Sequence, residues 1–253
     1  MAILLSSDEP PASEYLAPTS CPDILIICEH AGCIIPRSLN RLGLDPECAL
    51  EKQHIAWDIG AKAVAMGMAE QLGAGFIWQN YSRLVIDCNR PPHSATSIPA
   101  ISDHIPIPGN MALGPDETHA RINEIFTPYD DLCRKVMARE DIKLAISLHS
   151  FTPIMNNIER PWEISFLFDK GEAYAKDMAA FISEESPHLN IGFNEPYQVS
   201  ESTDWFVTQH AEPKAIPQVL IEIRNNEIRH DDQIQLWVDR LCKAALSMLK
   251  TYR

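Results

Sequence analysis

Six short apolar runs, Ile24 to Cys28, Gly75 to Trp78, Leu84 to Ile86, Lys143 to Leu148, Ile164 to Phe168 and Gln218 to Ile223, limit the fold more than any other feature. Most are rich in β-branched or aromatic residues, and none alternates cleanly between apolar and polar positions. A strand reads this way when both faces of its sheet are covered. Helices supply such cover, and the intervening sequence offers them. Ala61, Val64, Ala65, Met68 and Leu72 recur at three- and four-residue spacing, as do Ile234, Trp237, Val238, Leu241, Ala245 and Met248, so each set forms one apolar stripe. Strands alternating with helices predict an α/β fold: a single three-layer α/β/α domain around a central mixed, mostly parallel sheet.

A further helical stretch from about Glu117 to Arg139 contains Thr127-Pro128, which suits an N-cap and first helical residue, so a break or bend is expected there. Pro91 to Gly114 has too few periodic apolar positions for a regular element and reads as a long loop. With 253 residues, 45% of them hydrophobic, the chain suits one large domain. Residues 1–22, polar and containing Pro and Ser, are expected as an extension ahead of a domain spanning 23–253.

That N-terminus has no charged start followed by an apolar run, and no later stretch approaches membrane-spanning length, so a soluble, unexported protein without a membrane partner is expected. The seven cysteines, at 21, 28, 33, 48, 88, 133 and 242, form no C-x-x-C pair, and their odd number suits reduced thiols in the cytoplasm. A net charge of −14, with 35 acidic residues spread along the chain and no basic face, argues against nucleic acid as a partner.

In a sheet of this kind ligands gather beyond the carboxyl ends of the strands, so the polar residues that follow apolar runs carry the functional reading. Glu29-His30 ends the first run, with Gly32 permitting a tight turn, and suits metal ligation or acid–base work as well as a solvated loop. His149 ends a later run in the same way. Glu222 lies inside Val-Leu-Ile-Glu-Ile-Arg, where a buried carboxylate costs several kcal/mol unless paired or protonated. It reads either as a general acid/base or as a salt-bridge partner of Arg224. Ser82 to Arg90 gathers Arg83, Asp87, Asn89 and Arg90 around a short strand, which makes an anion pocket, an internal Asp87–Arg ion pair, or both. Asp58 reads first as the N-cap of the helix that follows it. His54, His93, His104 and His119 read as surface residues.

Taken in order, CEHAG at Cys28–Gly32, HxxxDxG at His54–Gly60, SRLxxDxNR at Ser82–Arg90, LHS at Leu148–Ser150 and IEIRN at Ile221–Asn225 resemble the N-formylglutamate amidohydrolase family, over about Ile24 to Arg240. That family is similar in fold to zinc carboxypeptidases and aspartoacylases, the phosphorylase/hydrolase-like fold. The resemblance implies one zinc per chain, held by His30 and His149. The relatives take a third ligand three residues after the early histidine, where this chain has Cys33. The displaced carboxylate is therefore expected to be Asp58, with Glu29 second and a Cys33 thiolate third. It further implies Glu222 as the base, Arg83 as the group that polarises the scissile carbonyl, and Asn89 and Arg90 as the anchor for the carboxylate of a small anionic acyl-amino-acid substrate. The activity implied is hydrolysis of an N-formyl amino acid, N-formylglutamate above all, to formate and the amino acid. A related zinc acylamino-acid hydrolase or carboxypeptidase-like peptidase, and a non-catalytic small-anion binder, stand as alternatives.

Overall fold

In the computed structural model, which describes residues 3–45, 47, 49–50 and 53–252, five of the six apolar runs become strands of one sheet. In chain order the elements are β1 (Ser13–Leu16), β2 (Cys21–Cys28), α1 (Ala61–Leu72), β3 (Ala74–Gln79), the small hairpin β4 (Ile101–Ser102) and β5 (Ile105–Pro106), α2 (Pro115–Arg121) and α3 (Thr127–Met137). There follow β6 (Leu144–Phe151), a second hairpin β7 (Ile154–Met155) and β8 (Ile158–Glu159), β9 (Ile164–Leu167), α4 (Glu172–Glu185), β10 (Ile191–Phe193), β11 (Gln218–Arg224) and α5 (Asp231–Tyr252).

Seven strands form the main sheet in the order β1-β3-β2-β6-β11-β9-β10. The central four, β3, β2, β6 and β11, run parallel. β1 joins one side antiparallel to β3, and β9 joins the other antiparallel to β11. The sheet is thus mixed and mostly parallel, as its apolar runs predict. On β2, Ile24, Ile26 and Cys28 pack into a core with α1, α4 and α5, while Leu25 and Ile27 face a second core that includes α3. Both faces of the strand are therefore dry, which explains why its sequence shows no alternation. The result is a three-layer α/β/α domain.

The run Leu84–Ile86 is not a strand. It is a buried turn in which Val85 N–H donates to Ser82 O at 2.9 Å and Ser82 Oγ accepts from Leu84 N–H at 3.2 Å. Its carbonyls find side chains where a strand would find a neighbour: Asn110 Nδ2 donates to Leu84 O at 2.8 Å, and Arg121 Nη1 to Val85 O at 2.9 Å. Arg121, only 1% exposed, holds Asn110 Oδ1 as well, at 2.7 Å. Continuous apolar sequence reports burial, and here buried polar side chains replace the sheet's hydrogen bonds.

The stretch from α2 to α3 is continuous, and a π turn over Ile122–Phe126 takes the place of a break at Thr127-Pro128. Pro128 has no N–H to offer the carbonyl four residues back. The wider turn, closed by Thr127 N–H on Ile122 O, lets the helix pass this gap. Pro91 to Gly114 is a loop apart from the β4–β5 hairpin and a single 3₁₀ turn. Besides the two small hairpins, the elements not read from the sequence are β1 and β10, the two edge strands of the sheet, and α4, which packs over β9 and β11. Residues 1–22, expected as an extension, include β1, whose four residues pair with Phe76 to Gln79. Among the described residues no cysteine is in a disulfide; Cys48 lies outside them. No helix among them is long and apolar enough to cross a membrane.

Candidate metal centre and cleft

The carboxyl ends of the parallel strands meet at one point. β2 runs out into Glu29-His30, and β6 carries Ser147 and His149 on alternate residues of one face. β11 sets Glu222 directly opposite His149 in the parallel register. Two loops complete the site. Asp58 N–H donates to His30 O at 2.9 Å, and Arg83 N–H to Ala56 O at 3.2 Å, so the loops are tied to the strand end and to each other by backbone. Two glycines of the motifs make these approaches possible. A Cβ on Gly32 would lie 1.9 Å from Asn80 O, so closeness of chain, and not an unusual φ, requires glycine there. Gly60 has a φ of 84° and starts α1. Asp58 is consequently not the N-cap, and its carboxylate is free for the site.

His30, Asp58 and His149 form the one group among the described residues able to hold a metal ion, and all three are buried. His30 Nδ1 lies 3.2 Å from His149 Nδ1, His149 Nδ1 lies 2.9 Å from Asp58 Oδ2, and His30 Nδ1 lies 3.4 Å from that same oxygen. Four-coordinate zinc with bonds of about 2.0–2.1 Å places its ligands about 3.3 Å apart, so this triangle has the dimensions a metal of that size requires. The outer nitrogens support the same reading. His30 Nε2 is 2.7 Å from Asp87 Oδ1, and His149 Nε2 is 3.0 Å from Glu29 Oε2. A carboxylate only accepts, so each Nε2 carries a hydrogen, and a metal in the triangle would take the lone pair of each Nδ1. Glu29 is fixed in turn by Ser147 Oγ at 2.8 Å.

Three buried carboxylates thus surround two imidazoles and the Arg83 guanidinium, an arrangement that favours added positive charge. Burial disfavours the imidazolium of His149, yet Glu29 and Asp58 raise its pKa well above the ordinary value. Burial likewise pushes Asp87 up, but Arg83 and His30 bring it well below the usual carboxylate range. The environment that would stabilise a proton on these rings stabilises a cation between them, and the donor set of two nitrogens and one oxygen suits a divalent metal.

The group opens on a cleft of about 450 Å³. Glu222 lines it, is 7% exposed, and leaves Oε2 buried with no hydrogen-bond partner. The salt bridge to Arg224 does not form, because Arg224 turns to Glu163 and Glu227, both at 2.9 Å. Burial pushes the Glu222 carboxyl up to about 8, against the pull of His149, His30 and Arg83. Further positive charge on the donor set pulls in the same direction as those groups and lowers it. Arg83 bridges Asp87 Oδ2 at 2.8 Å and Asp58 Oδ1 at 3.4 Å, so the expected Asp87–Arg pair is present within the site. Asn89 gives its Nδ2 hydrogen to Asp204 Oδ1 at 3.2 Å, and Arg90 donates to Thr203 O; both residues line the cleft.

The structure therefore brings together His30, Asp58, Arg83, Asn89, Arg90, His149 and Glu222. Glu29 stands behind His149 and outside the donor triangle, and Cys33 belongs to the neighbouring apolar core. His93, His104 and His119 are exposed, while His54 lines the cleft with Nε2 3.2 Å from Asp103. Tyr197, Thr203 and Asp204, also in the cleft wall, lie in a segment with no apolar run or motif to single them out. Ser147 follows from the strand pattern, since a residue two before His149 shares its face.

The chain is similar to the Atu2144 gene product of Agrobacterium tumefaciens, at 32% identity over 98% of both chains, with a TM-score of 0.91. It shares its fold with N-formylglutamate amidohydrolase from Ralstonia eutropha JMP134, at 15% identity over 96% of this chain and 99% of that one, with a TM-score of 0.74. No curated protein matches the chain significantly. The family model of N-formylglutamate amidohydrolase matches residues 23–229, which include every residue of the metal centre and the cleft, and the chain belongs to that family.

Proposed function

We propose that the protein hydrolyses the amide of an N-formyl or closely related N-acyl amino acid, N-formylglutamate being the expected substrate, with one divalent metal, expected to be zinc, held by His30, Asp58 and His149. One observation carries this reading. A buried donor triangle for a metal and a buried carboxyl oxygen without a partner, Glu222 Oε2, line the same cleft. A bound metal would supply a lowered pKa for water and polarisation of a carbonyl.

The chain's own residues then have distinct tasks. Glu222 accepts the proton of the attacking water and delivers it to the leaving nitrogen, at a distance from solvent that keeps the proton in the site. Arg83, fixed by Asp58 and Asp87, presents its remaining guanidinium hydrogens to the oxygen on which charge develops. Arg90, with Asn89 beside it, takes the substrate carboxylate by its planar fork, leaving the Thr203 carbonyl to do so. The products are formate, or the longer acid, and the free amino acid.

The test is the zinc-loaded protein assayed on N-formyl-L-glutamate, N-acetyl-L-glutamate and a short peptide, beside Glu222→Gln. Release of formate is expected, with kcat in the variant down by about two to four orders of magnitude and zinc content unchanged. Preference for the acetyl compound or the peptide would give the acylamino-acid hydrolase or peptidase instead. Binding of the amino acid with no turnover of any of the three would make the protein an anion binder.

A further inference from the structure

The mouth of the cleft is framed by segments that are far apart in sequence yet bonded into a circuit. Starting at the anchor pair, Asn89 holds Asp204, Trp205 N–H donates to Asn89 O at 3.2 Å, and Arg90 holds Thr203. The same segment carries Tyr197, whose hydroxyl accepts from Arg160 Nη1 at 3.1 Å, and the Arg160 guanidinium stacks 5.1 Å from the centre of that ring. Arg160 is the root of the β7–β8 hairpin. Its N–H donates to Pro153 O at 2.8 Å, and its side chain reaches Thr152 and Met155. The tip of that hairpin meets the tip of the β4–β5 hairpin, His104 Nε2 lying 2.8 Å from Asn156 Oδ1. Asp103 Oδ2, beside His104, lies 3.2 Å from His54 Nε2, four residues before Asp58, an approach within ion-pair distance that makes no hydrogen bond.

The link between the two hairpins differs from the others. It is one side-chain hydrogen bond in the open, and such a bond exchanges with water at little net cost. The hairpins themselves are stiff. Both are two-residue turns with positive φ at each central position, 43° and 62° at Asp103 and His104, and 52° and 60° at Asn156 and Asn157. Both also face inward: Ser102 and Asp103 from one, and Thr152 and Met155 from the region of the other, line the cleft. The pair therefore roofs the space in which a substrate lies, and the seam between them is where the roof can part.

We infer that His104 and Asn156 are specificity-determining residues: their hydrogen bond clasps the two hairpins over the cleft, so that a compact acyl amino acid fits beneath the closed roof and a substrate extended at either end must hold it open. This rests on the amidohydrolase reading above. A compact substrate enters while the clasp is parted and reacts after it re-forms. An extended one keeps the hairpins apart, leaves the cleft wet, and forfeits the gain from excluding water.

The test uses His104→Gly, Asn156→Gly and the double variant, because glycine removes the side chain and keeps the positive φ. For each zinc-loaded protein kcat/KM is measured on one N-formyl amino acid, on the same compound lengthened by a residue at its carboxyl end, and on its six-carbon N-acyl analogue; melting curves check the fold. The variants are expected to lose about three- to fivefold in kcat/KM on the compact substrate, which no longer reacts beneath a closed roof, and to change little on the extended analogues, so that the extended-to-compact ratio rises by about three- to fivefold for at least one of them. Ratios within twofold of the unaltered protein for both analogues would overturn the clasp while leaving the amidohydrolase reading in place. Failure of the unaltered protein to hydrolyse any of the three would overturn both.

Discussion

Asp87 supplies no atom to the donor triangle and, by the proposed reading, does not meet the substrate, but it holds His30 from behind, so replacing it by Asn should weaken metal binding by an amount that follows from its bonds. Its Oδ1 accepts from His30 Nε2 at 2.7 Å and from Asn89 N–H at 2.9 Å, and its Oδ2 accepts from Arg83 Nη2 at 2.8 Å. Asparagine offers one acceptor in place of two. Kept towards His30 and Asn89, its oxygen leaves the amide NH₂ against the Arg83 donor; turned over, it sets NH₂ against two N–H groups. The first orientation costs less. His30 then keeps a hydrogen bond but loses a charge-assisted one, a difference of about 1–1.5 kcal/mol, or roughly five- to tenfold in affinity. Arg83, released from Asp87, remains 3.4 Å from Asp58 and draws that carboxylate away from the imidazoles, which carries the total towards the upper part of a 10- to 100-fold loss. Competition against a chromophoric chelator at fixed pH and salt measures the dissociation constant, and melting in excess chelator measures the fold without metal. A dissociation constant within twofold of the unaltered protein, together with a lowered melting point in chelator, would show that Asp87 only closes its loop against Arg83.

Arg90→Lys keeps the charge and loses the fork, so KM should rise for carboxylate-bearing substrates with much less effect on a substrate that lacks the carboxylate; equal loss on both would return Arg90 to a structural role beside Asp87, 4.0 Å away. Asn110→Ala removes hydrogen bonds to Leu84 O and Pro99 O and strips the buried Arg121 of a partner, so urea unfolding should show a loss of about 3 kcal/mol or more, and a loss below 1 would refute the account of the Leu84–Ile86 turn. Burial raises the Asp130 carboxyl, but hydrogen bonds from His210 and Trp205 bring it below the ordinary aspartate value of 3.8. Its contribution to stability is therefore present above that value and lost as pH falls below it. The melting point of Asp130→Asn should fall less steeply than that of the unaltered protein between about pH 4 and pH 2, and parallel curves would refute the assignment.

The legible parts of this sequence are those where one physical demand has one solution. Ile24 to Cys28 has no polar residue, and Leu144 to Leu148 only the small Ser147, to face water on either side of a sheet, so the ionisable groups that follow them, His30 and His149, emerge at strand ends. Glu222 betrays itself by being charged inside such a run. Asp58 is different, because a carboxylate before a helix satisfies an N-cap as well as a metal, and only the structure, by placing Gly60 at the N-cap of α1, removes the first possibility. Leu84 to Ile86 fails for a further reason. The acceptors of a buried segment must be satisfied, but nothing local states whether a strand will do so or Asn110 and Arg121, which are 26 and 36 residues further on. The cleft roof is hidden in the same way, since His104 and Asn156 are ordinary surface turn residues until the fold sets one tip against the other.

Burial of charge is the thread that separates the working residues from their supports. Glu29, Asp58, Asp87 and Glu222 are each under 10% exposed, and each carboxylate removed from water costs several kcal/mol unless something compensates it. Ser147 and His149 compensate Glu29, and His30 and Arg83 compensate Asp87. Asp58 accepts from the Ser150 N–H and from Arg83, and its Oδ2 faces the two imidazoles where a cation would sit. These three are held on several sides, and a group held on several sides can fix the geometry of its neighbours but has no freedom to exchange a proton with a substrate. Glu222 alone of the four leaves a carboxyl oxygen buried and without a partner. A cost of that kind is tolerated where the missing partner arrives from outside, and by the proposed reading the arriving partner is the water and the amide nitrogen between which a proton has to move.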